Sequence, residues 1–462
     1  MNNKFLKVFL LVLLVLVGAV ALFWLPKTSI FNWESREVDV LSDVRSSSGD
    51  DADAQIDSIL VAETQNADKT DGSSSAEGVS AQTRDTANGA ELEAIRGNDV
   101  QPNNKPGANL VTTNLNKFFG VLNAHDRMTR PVRIAYFGDS FIEADIFTSD
   151  FRTLLQGKFG GNGVGYVDID PITASFRQTA TVKDQGFNKF ICTNRSGFNK
   201  EKQGLGNRYY TAVGNASFTV SEKEATGKAS FFCIPTNGCT VTAKTEAGKT
   251  QSFHLSPSKT VVRTDILNPG KSVTWSVSGG NAANIYYGAA LESTKGIVVD
   301  NFSVRGSSGK PVSDISSTVL HGFAKSRVYD LIVLQYGLNI ANEKETDYSN
   351  YEKTLTNIIN NLRKEYPNAS FLVVSVSQRG KKNASGVHVM NGVPQLRESQ
   401  RKVAAATGCA FWDLFNVMEG EGGPAQLAKS GYLSADYTHM TFKGGKFFAQ
   451  KLFSDLMAAY GR

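Results

Sequence analysis

The sequence predicts an α/β fold: a mainly parallel sheet wrapped by helices and interrupted by an antiparallel β insertion. Three observations carry this reading. From Gly296 onward, strand-like runs (IVVDNF, DLIVLQY, ASFLVVSV, CAFWDL) alternate with helical stretches such as Tyr351 to Glu365 and Gly392 to Thr407. That rhythm implies parallel strands joined by helical crossovers. One unit of the same kind comes earlier, the buried-strand pattern PVRIAYF (Pro131 to Phe137) followed by the helical pattern of Phe147 to Phe159. Between the two, the chain changes to short alternating runs, ASFTV, ASFFCI, CTVTAK, SVTWSVS and NIYYGAALE, spaced by Gly, Asn, Ser and Thr. Period-two alternation at this spacing marks an antiparallel sandwich. The expected organisation is an α/β domain over 109–170 and 296–462 with a β-sandwich inserted at 171–295.

The N-terminal quarter is of another character. The chain has 462 residues, 41% of them hydrophobic, and a formal net charge of +5, which excludes a wholly disordered protein. A single long apolar run also excludes a polytopic transporter. That run, Val8 to Leu25, holds 18 uncharged residues behind Lys4 and Lys7. It is just long enough to cross a bilayer, and the lysines place its start in the cytoplasm, with the rest exported. Ala19-Val20-Ala21 has the form of a signal-peptide cleavage site. The apolar run nevertheless continues to Leu25, which favours an uncleaved anchor over 1–26. Residues 27–108 read as a flexible acidic tether: from Glu34 to Ala108 there is no aromatic residue, and 16 acidic side chains face 6 basic ones. Such a segment buries too little to offset its chain entropy. The remaining body, 109–462, carries a net +12, which would favour an anionic polymer over a neutral one by long-range attraction.

Several catalytic signatures are absent, among them G-x-S-x-G, H-E-x-x-H, C-x-x-C and a helix-opening G-x-G-x-x-G. Ala243 to Thr250, AKTEAGKT, has the loosest form of a phosphate-binding loop, but it sits on strand alternation with a hairpin turn at Glu246-Ala247-Gly248 and no helix after it. Gly138-Asp139-Ser140 is more informative. It follows a buried strand directly and precedes a helix, which delivers Ser140 to the rim where open α/β sheets build their sites. A helix starting at Ser140 would supply backbone N–H groups for developing negative charge. Alone, the triplet is equally a helix N-cap formed by Asp139 or Ser140.

The other end of the chain decides between these. A serine hydroxyl needs a base, and the base needs a partner that fixes its tautomer. Of the five histidines only His439 has an Asp three residues earlier, Asp436, and a helix immediately beyond. Two further loops reach the same rim. Gly337-Leu338-Asn339 follows the strand DLIVLQY, and Val304 to Gly309 (VRGSSG) follows IVVDNF. Donors from Ser140, Gly306 and Asn339 could converge there on a tetrahedral oxyanion.

In chain order, Ser140, Gly306, Asn339 and His439 resemble the four blocks of the SGNH (GDSL) hydrolases. More narrowly, three stretches are similar to the peptidoglycan O-acetylesterases of Gram-negative bacteria: GDSFIEADIFTSDFRTLLQGKFGGNGVGYV (Gly138 to Val167), IYYGAALESTKGIVVDNFSVRGSSG (Ile285 to Gly309) and SADYTHMTFKGG (Ser434 to Gly445). The resemblance covers most of Asn109 to Arg462. It implies a three-layer, flavodoxin-like α/β/α fold, with a carbohydrate-binding-type sandwich between the first and second blocks. It also implies Ser140 as nucleophile, His439 as general base and acid, and Asp436 as its orienter. Ser140, Gly306 and Asn339 would form the oxyanion hole, with Gly309 as the alternative to Gly306. Two positions depart from the family pattern: Phe141 stands where these esterases often have His, and Ile340 where the wider family often has Asp. Neither removes a catalytic group, and both bear on the choice of substrate.

The implied activity is removal of O-acetyl groups from a cell-envelope glycan, peptidoglycan first, with no metal or cofactor and no nucleic-acid partner. The glycan and, through the N-terminal helix, the inner membrane would be the partners, with the body in the periplasm. Two other readings stay open, a membrane-tethered polysaccharide O-acetyltransferase and a non-catalytic glycan-binding protein. In an oxidising periplasm Cys233 and Cys239 are close enough in sequence to pair, leaving Cys192 and Cys409 as buried thiols or a separate pair.

Overall fold

The computed structural model describes residues 106–171 and 176–461, and the backbone of two short strands, Ser29–Ile30 and Trp33–Glu34, that pair antiparallel. The expected anchor, Val8 to Leu25, and nearly all of the acidic tether lie outside the described residues. Among the described residues, no helix is long and apolar enough to cross a membrane.

Six strands form the central sheet: β1 (Leu110–Val111), β2 (Val132–Gly138), β3 (Ile297–Ser303), β4 (Leu331–Gln335), β5 (Ser370–Val374) and β6 (Ala410–Trp412). Their spatial order is β3-β2-β4-β5-β6-β1. All neighbours are parallel except the edge strand β1, which runs antiparallel to β6. β2, β4 and β5 are buried along their whole length, as strands covered on both faces must be, so they read as continuous apolar runs. Counted in chain order the parallel strands stand 2-1-3-4-5, the doubly wound flavodoxin-like order, whose switch point lies beside β2.

Helices α1 (Asn116–Asn123), α2 (Thr148–Phe159), α3 (Ser317–Ser326), α4 (Ser349–Glu365), α5 (Gly392–Thr407) and α6 (Phe442–Tyr460) wrap this sheet. α1, α2 and α6 meet through Phe119, Phe159 and Tyr460, whose rings lie 5.7 and 5.6 Å apart in successive pairs. α3, α4 and α5 pack in a separate group. α4 buries Tyr351, Leu355, Ile358, Ile359 and Leu362, one stripe at helical spacing. Register across the sheet aligns the strand ends at the rim. Ser303, Gly138 and Gln335 are direct neighbours on β3, β2 and β4, so three strands end in line.

The insertion is a nine-stranded antiparallel sheet running from Gly165–Asp168 to Ile285–Glu292, so its first strand precedes Pro171. Two long strands, Gly214–Ile234 and Val262–Gly280, pair along their length with register shifts between Leu267 and Ser272. Such bulges bend a strand pair. The first half of Gly214–Ile234 pairs with Ala180–Gln185 and its second half with Ile285–Glu292. The expected sandwich is therefore one hydrogen-bonded sheet folded at its bulges, and the runs ASFTV and ASFFCI are two halves of one strand. Phe218, Val220, Phe231, Trp275, Tyr286 and Leu291 share a single core, with Phe231 stacked on Trp275 at 5.4 Å. The stretch Ala243 to Thr250 turns the hairpin between Cys239–Thr245 and Thr250–Leu255. All four cysteines are free thiols, so Cys233 and Cys239, close enough in sequence to pair, are not bonded. The short Ile234 to Gly238 connection does bring these two thiols into hydrogen-bonding contact, without a bond between them.

The insertion leaves and rejoins the α/β body side by side. Ile297 donates its amide to the Gly160 carbonyl at 2.9 Å, and Ser293 to that of Asn162 at 3.0 Å. Gly296, at φ +79°, lies so close to Gly160 that a Cβ would come within 2.3 Å of its backbone, which only glycine avoids. Charge cements the joint. Glu292 at the end of the insertion meets Arg133 of β2 at 2.6 Å, and Lys228 and Arg327 each at 3.0 Å. Arg327 also grips Asp300 of β3 at 2.7 Å. Burial works against the Glu292 charge, but Arg327 and Arg133 outweigh it and hold the carboxyl well below the usual range.

Candidate active site

β2 carries Gly138-Asp139-Ser140 to the rim. Asp139 accepts the Phe141 amide at 3.0 Å and caps a 3₁₀ turn over Ser140–Asp145. The helix read from Phe147 to Phe159 begins at Thr148, and the stretch before it does not extend it to Ser140, because Ala144 and Asp145 are left-handed, at φ +55° and +66°. A non-glycine residue in that region costs ~1–2 kcal/mol, and the buried Asp145 carboxylate is what holds it there. It takes Arg152 at 2.8 and 2.9 Å, Thr179 at 3.1 Å, Arg177 at 3.3 Å, and Thr148. Arg177 and Thr179 come from the insertion side. Any amide donor near Ser140 therefore belongs to a turn, not to a long helix.

His439 comes from a tight turn enclosed by the Leu433–Met440 bridge, just before α6. Ser434 donates its amide to the His439 carbonyl at 2.8 Å, and Tyr437 closes the turn at φ +58°. Within it, His439 Nδ1 lies 2.6 Å from Asp436 Oδ2, and His439 Nε2 lies 3.2 Å from Ser140 Oγ. The other Asp436 oxygen accepts the amides of Thr438 at 2.9 Å and His439 at 3.0 Å, and the Ser434 hydroxyl. Burial works against its charge, but the bonds and charge of His439, with Ser434, hold Asp436 well below the usual carboxylate range. An ionised Asp436 accepts a hydrogen bond from Nδ1–H, which leaves the Nε2 lone pair facing Ser140.

The donor loops flank this pair. Val304 donates to the Gly138 carbonyl at 3.1 Å, which sets the 305–309 loop beside Ser140. Gly306, at φ +72°, is exposed and has open space where a Cβ would be, whereas at Gly309, φ +86°, a Cβ would press the Tyr336 ring at 2.9 Å. Packing accounts for Gly309, and nothing in the packing accounts for Gly306. Asn339 donates from Nδ2 to the Ser307 carbonyl at 3.1 Å. This ties its loop to the Gly306 loop and leaves its other N–H to point elsewhere. Ser140, Gly306 and Asn339 thus stand just beyond three strand ends that lie in register. Phe141 is a buried core residue, and Ile340 closes a turn by donating to the Gly337 carbonyl at 3.0 Å.

Three residues of the site escape the sequence reading. Ser434 fixes Asp436, and its S-x-D spacing is a legible local signal. Asp139 is more than a cap: burial pushes its carboxyl up to about 6, against the Phe141 amide, the His439 charge and the amides of Leu338 and Gly337 that also face it. Arg379 donates from Nη1 to the Leu338 carbonyl at 3.0 Å, and no local spacing announces it. Among the described residues, no group of His, Cys, Asp and Glu is arranged to hold a metal ion.

A model of the GDSL-like lipase/acylhydrolase family matches residues 270–446. The span contains Gly306, Asn339, Asp436 and His439 and opens inside the insertion, after Ser140. No match is found among curated proteins. A solved structure described as "Peptidoglycan O-acetylesterase in action" is 20% identical, with a TM-score of 0.63 over 76% of this chain and 99% of that one. A Bacillus subtilis protein is 14% identical over 70% of this chain and 98% of that one, with a TM-score of 0.32. A family two carbohydrate esterase from Clostridium thermocellum, in complex with cellohexaose, is 10% identical over 56% and 98%, with a TM-score of 0.25. The 0.63 likeness speaks for a common fold. Residues 270–446 thus resemble the GDSL-like lipase/acylhydrolase family in sequence, on a fold like that of the 0.63 neighbour.

Proposed function

We propose that the protein is a serine esterase that removes O-acetyl groups from a cell-envelope glycan, with peptidoglycan as the leading substrate. The observation that carries this is the continuous relay from Ser140 Oγ through His439 to Asp436, at 3.2 and 2.6 Å. In the first step His439 Nε2 takes the hydroxyl proton as Ser140 Oγ attacks the acetyl carbonyl. Donors from Ser140, Gly306 and Asn339 meet the oxyanion. The sugar oxygen then leaves with the proton from His439, and acetyl-Ser140 remains. Water, deprotonated by the same nitrogen, releases acetate and restores the serine. The activity of the 0.63 neighbour, a peptidoglycan O-acetylesterase, supports the choice of leaving group. The inserted sheet would grip the glycan and contribute binding remote from the reacting carbon. The apolar N-terminal run would hold the enzyme at the inner membrane, with its body in the periplasm.

The test is acetate release from O-acetylated peptidoglycan and from p-nitrophenyl acetate by the wild-type chain and by Ser140→Ala. Absence of Ser140-dependent turnover on every acetyl ester would overturn the reading. Acetyl appearing on an added glycan acceptor in place of free acetate would make the protein a transferase instead.

A further inference from the structure

We propose that Arg379 is a specificity residue that binds a carboxylate carried by the sugar, so that the substrate class is an anionic, carboxylate-bearing O-acetyl glycan. The proposal rests on the esterase reading for the ester itself and adds what sits beside it.

Arg379 stands where the two halves of the site join. Its Nη1 donates to the carbonyl of Leu338, the residue before Asn339, at 3.0 Å. The next residue, Gly380, donates its amide at 2.9 Å to the carbonyl of Tyr437, inside the turn that carries His439. The Leu338 amide in turn faces Asp139, the neighbour of Ser140. Arg379 is half-buried, with its guanidinium held against the Asn339 loop and the backbone beside it held against the turn of His439.

What distinguishes it is the lack of an acid. Most other enclosed arginines of the fold are answered by a carboxylate, as Arg133 by Glu292, Arg152 by Asp145, Arg327 by Asp300 and Arg397 by Asp413, while Arg363 lies over the Phe371 ring and donates to the Cys409 sulfur, away from the site loops. Asp436 pairs with His439, and Glu343 lies 3.5 Å from Lys381, so neither is paired with Arg379. Among the described residues Arg379 has one hydrogen bond, to a neutral carbonyl, and no ion pair. That bond fixes the plane of the guanidinium while leaving most of its donors unused, and a carboxylate can take two of them side by side. An acetyl ester is neutral and does not call for this cation. A carboxylate on the same or the adjoining sugar does. A body of net charge +12 attracts an acidic polymer more than a neutral one. A uronic acid and a carboxyalkyl ether on an amino sugar both supply such a carboxylate.

The experiment compares matched acetylated oligosaccharides that differ only in carboxylate against carboxamide, one pair built on a uronic acid and one on a carboxyalkyl ether. We expect the wild-type chain to favour the carboxylate about 10- to 100-fold in kcat/KM in at least one pair, mainly through KM. In Arg379→Gln the ratio should fall close to one, and in Lys382→Gln, on the exposed hairpin beyond, it should stay at the wild-type value. The pair with the larger ratio identifies the source of the carboxylate. A ratio near one in the wild type, or an equal loss on both members of a pair in Arg379→Gln, would overturn the proposal. Calorimetric binding of the deacetylated oligosaccharides repeats the comparison without turnover. Carboxylate-selective binding that needs Arg379, in a chain that hydrolyses no ester, would sink the esterase reading and leave this one standing.

Discussion

Arg208, on the inserted sheet, donates to the backbone carbonyl of Ser303, the last residue of β3, at 2.9 Å. The same guanidinium faces the buried Asp168 at 3.5 Å and donates to the Gly206 carbonyl at 3.1 Å. The insertion thus holds the loop that carries Gly306, as Arg177 and Thr179 hold Asp145 at the end of the Ser140 turn. Removing one partner of a buried ion pair costs ~3–5 kcal/mol, so Arg208→Met should lower Tm clearly. If the loop positions a donor, kcat should also fall about tenfold, part of the ~10²–10³ that a lost donor costs, with KM little changed. Arg208→Lys should recover stability but not kcat, since a lysine cannot serve Asp168 and Ser303 together. Thermal melts, and kinetics taken well below Tm, would separate the two effects.

The relay itself makes the sharpest demand. Ser140→Ala and His439→Ala should each lower kcat by about 10⁴ with Tm nearly unchanged, and Asp436→Asn should do much the same by favouring the wrong tautomer. A double Ser140→Ala, His439→Ala chain should be little worse than either single variant, because the two side chains act as one unit. Additive losses would show that they do not.

The two loop glycines should part company. Gly309→Ala meets both a left-handed backbone and the Tyr336 ring, so the expected result is a marked loss of stability. Gly306→Ala meets only the backbone penalty, ~1–2 kcal/mol, because the space beside it is open. If Gly306 is the oxyanion donor, its substitution should still lower kcat, whereas a packing glycine there would leave kcat alone. Melting temperatures set beside kcat decide the assignment.

Asp139 gives the fold a pH signature. Its carboxyl is pushed up to about 6 in the folded chain from an ordinary 3.8, so between those values the folded state binds more protons than the unfolded one. Stability from this group is complete below pH 4 and is lost as pH rises through 6. Asp139→Asn keeps a side-chain oxygen for the Phe141 amide and has no charge to bury. Its stability relative to wild type should therefore rise between pH 4 and 6 and level off above, by up to roughly 3 kcal/mol. Denaturant melts at several pH values would show the step, and a flat difference would contradict it.

How far the sequence reaches depends on how local the signal is. α5 spans Gly392–Thr407, the range its periodicity predicts, and β2 to β6 lie on the apolar runs read as strands. Asp436 and His439 were legible because three residues of a single turn set their geometry. The insertion was harder. Leu267-Asn268-Pro269-Gly270 has the composition of a turn, yet the chain passes through a bulge there and continues along the same partner strand. No helix starts at Ser140 because Asp145 is left-handed, held by Arg152 and Thr148 nearby and also by Arg177 and Thr179, more than thirty residues away. Arg379 left no trace in periodicity, since what singles it out is a missing carboxylate, and that is visible only once neighbours are known.

The neck formed by Gly160 to Asn162 and Ser293 to Ile297 has a consequence for how such a chain can change over time. Because the two ends of the insertion meet, the path from α2 to β3 would be almost unaltered if everything between them were exchanged for another module of any length. A replacement would have only a few local duties: to fill the place of Glu292 between Arg133 and Arg327, to steady Asp145, and to hold the Ser303 carbonyl. The insertion is in this sense a cartridge, free to vary so long as those few contacts around the serine are honoured.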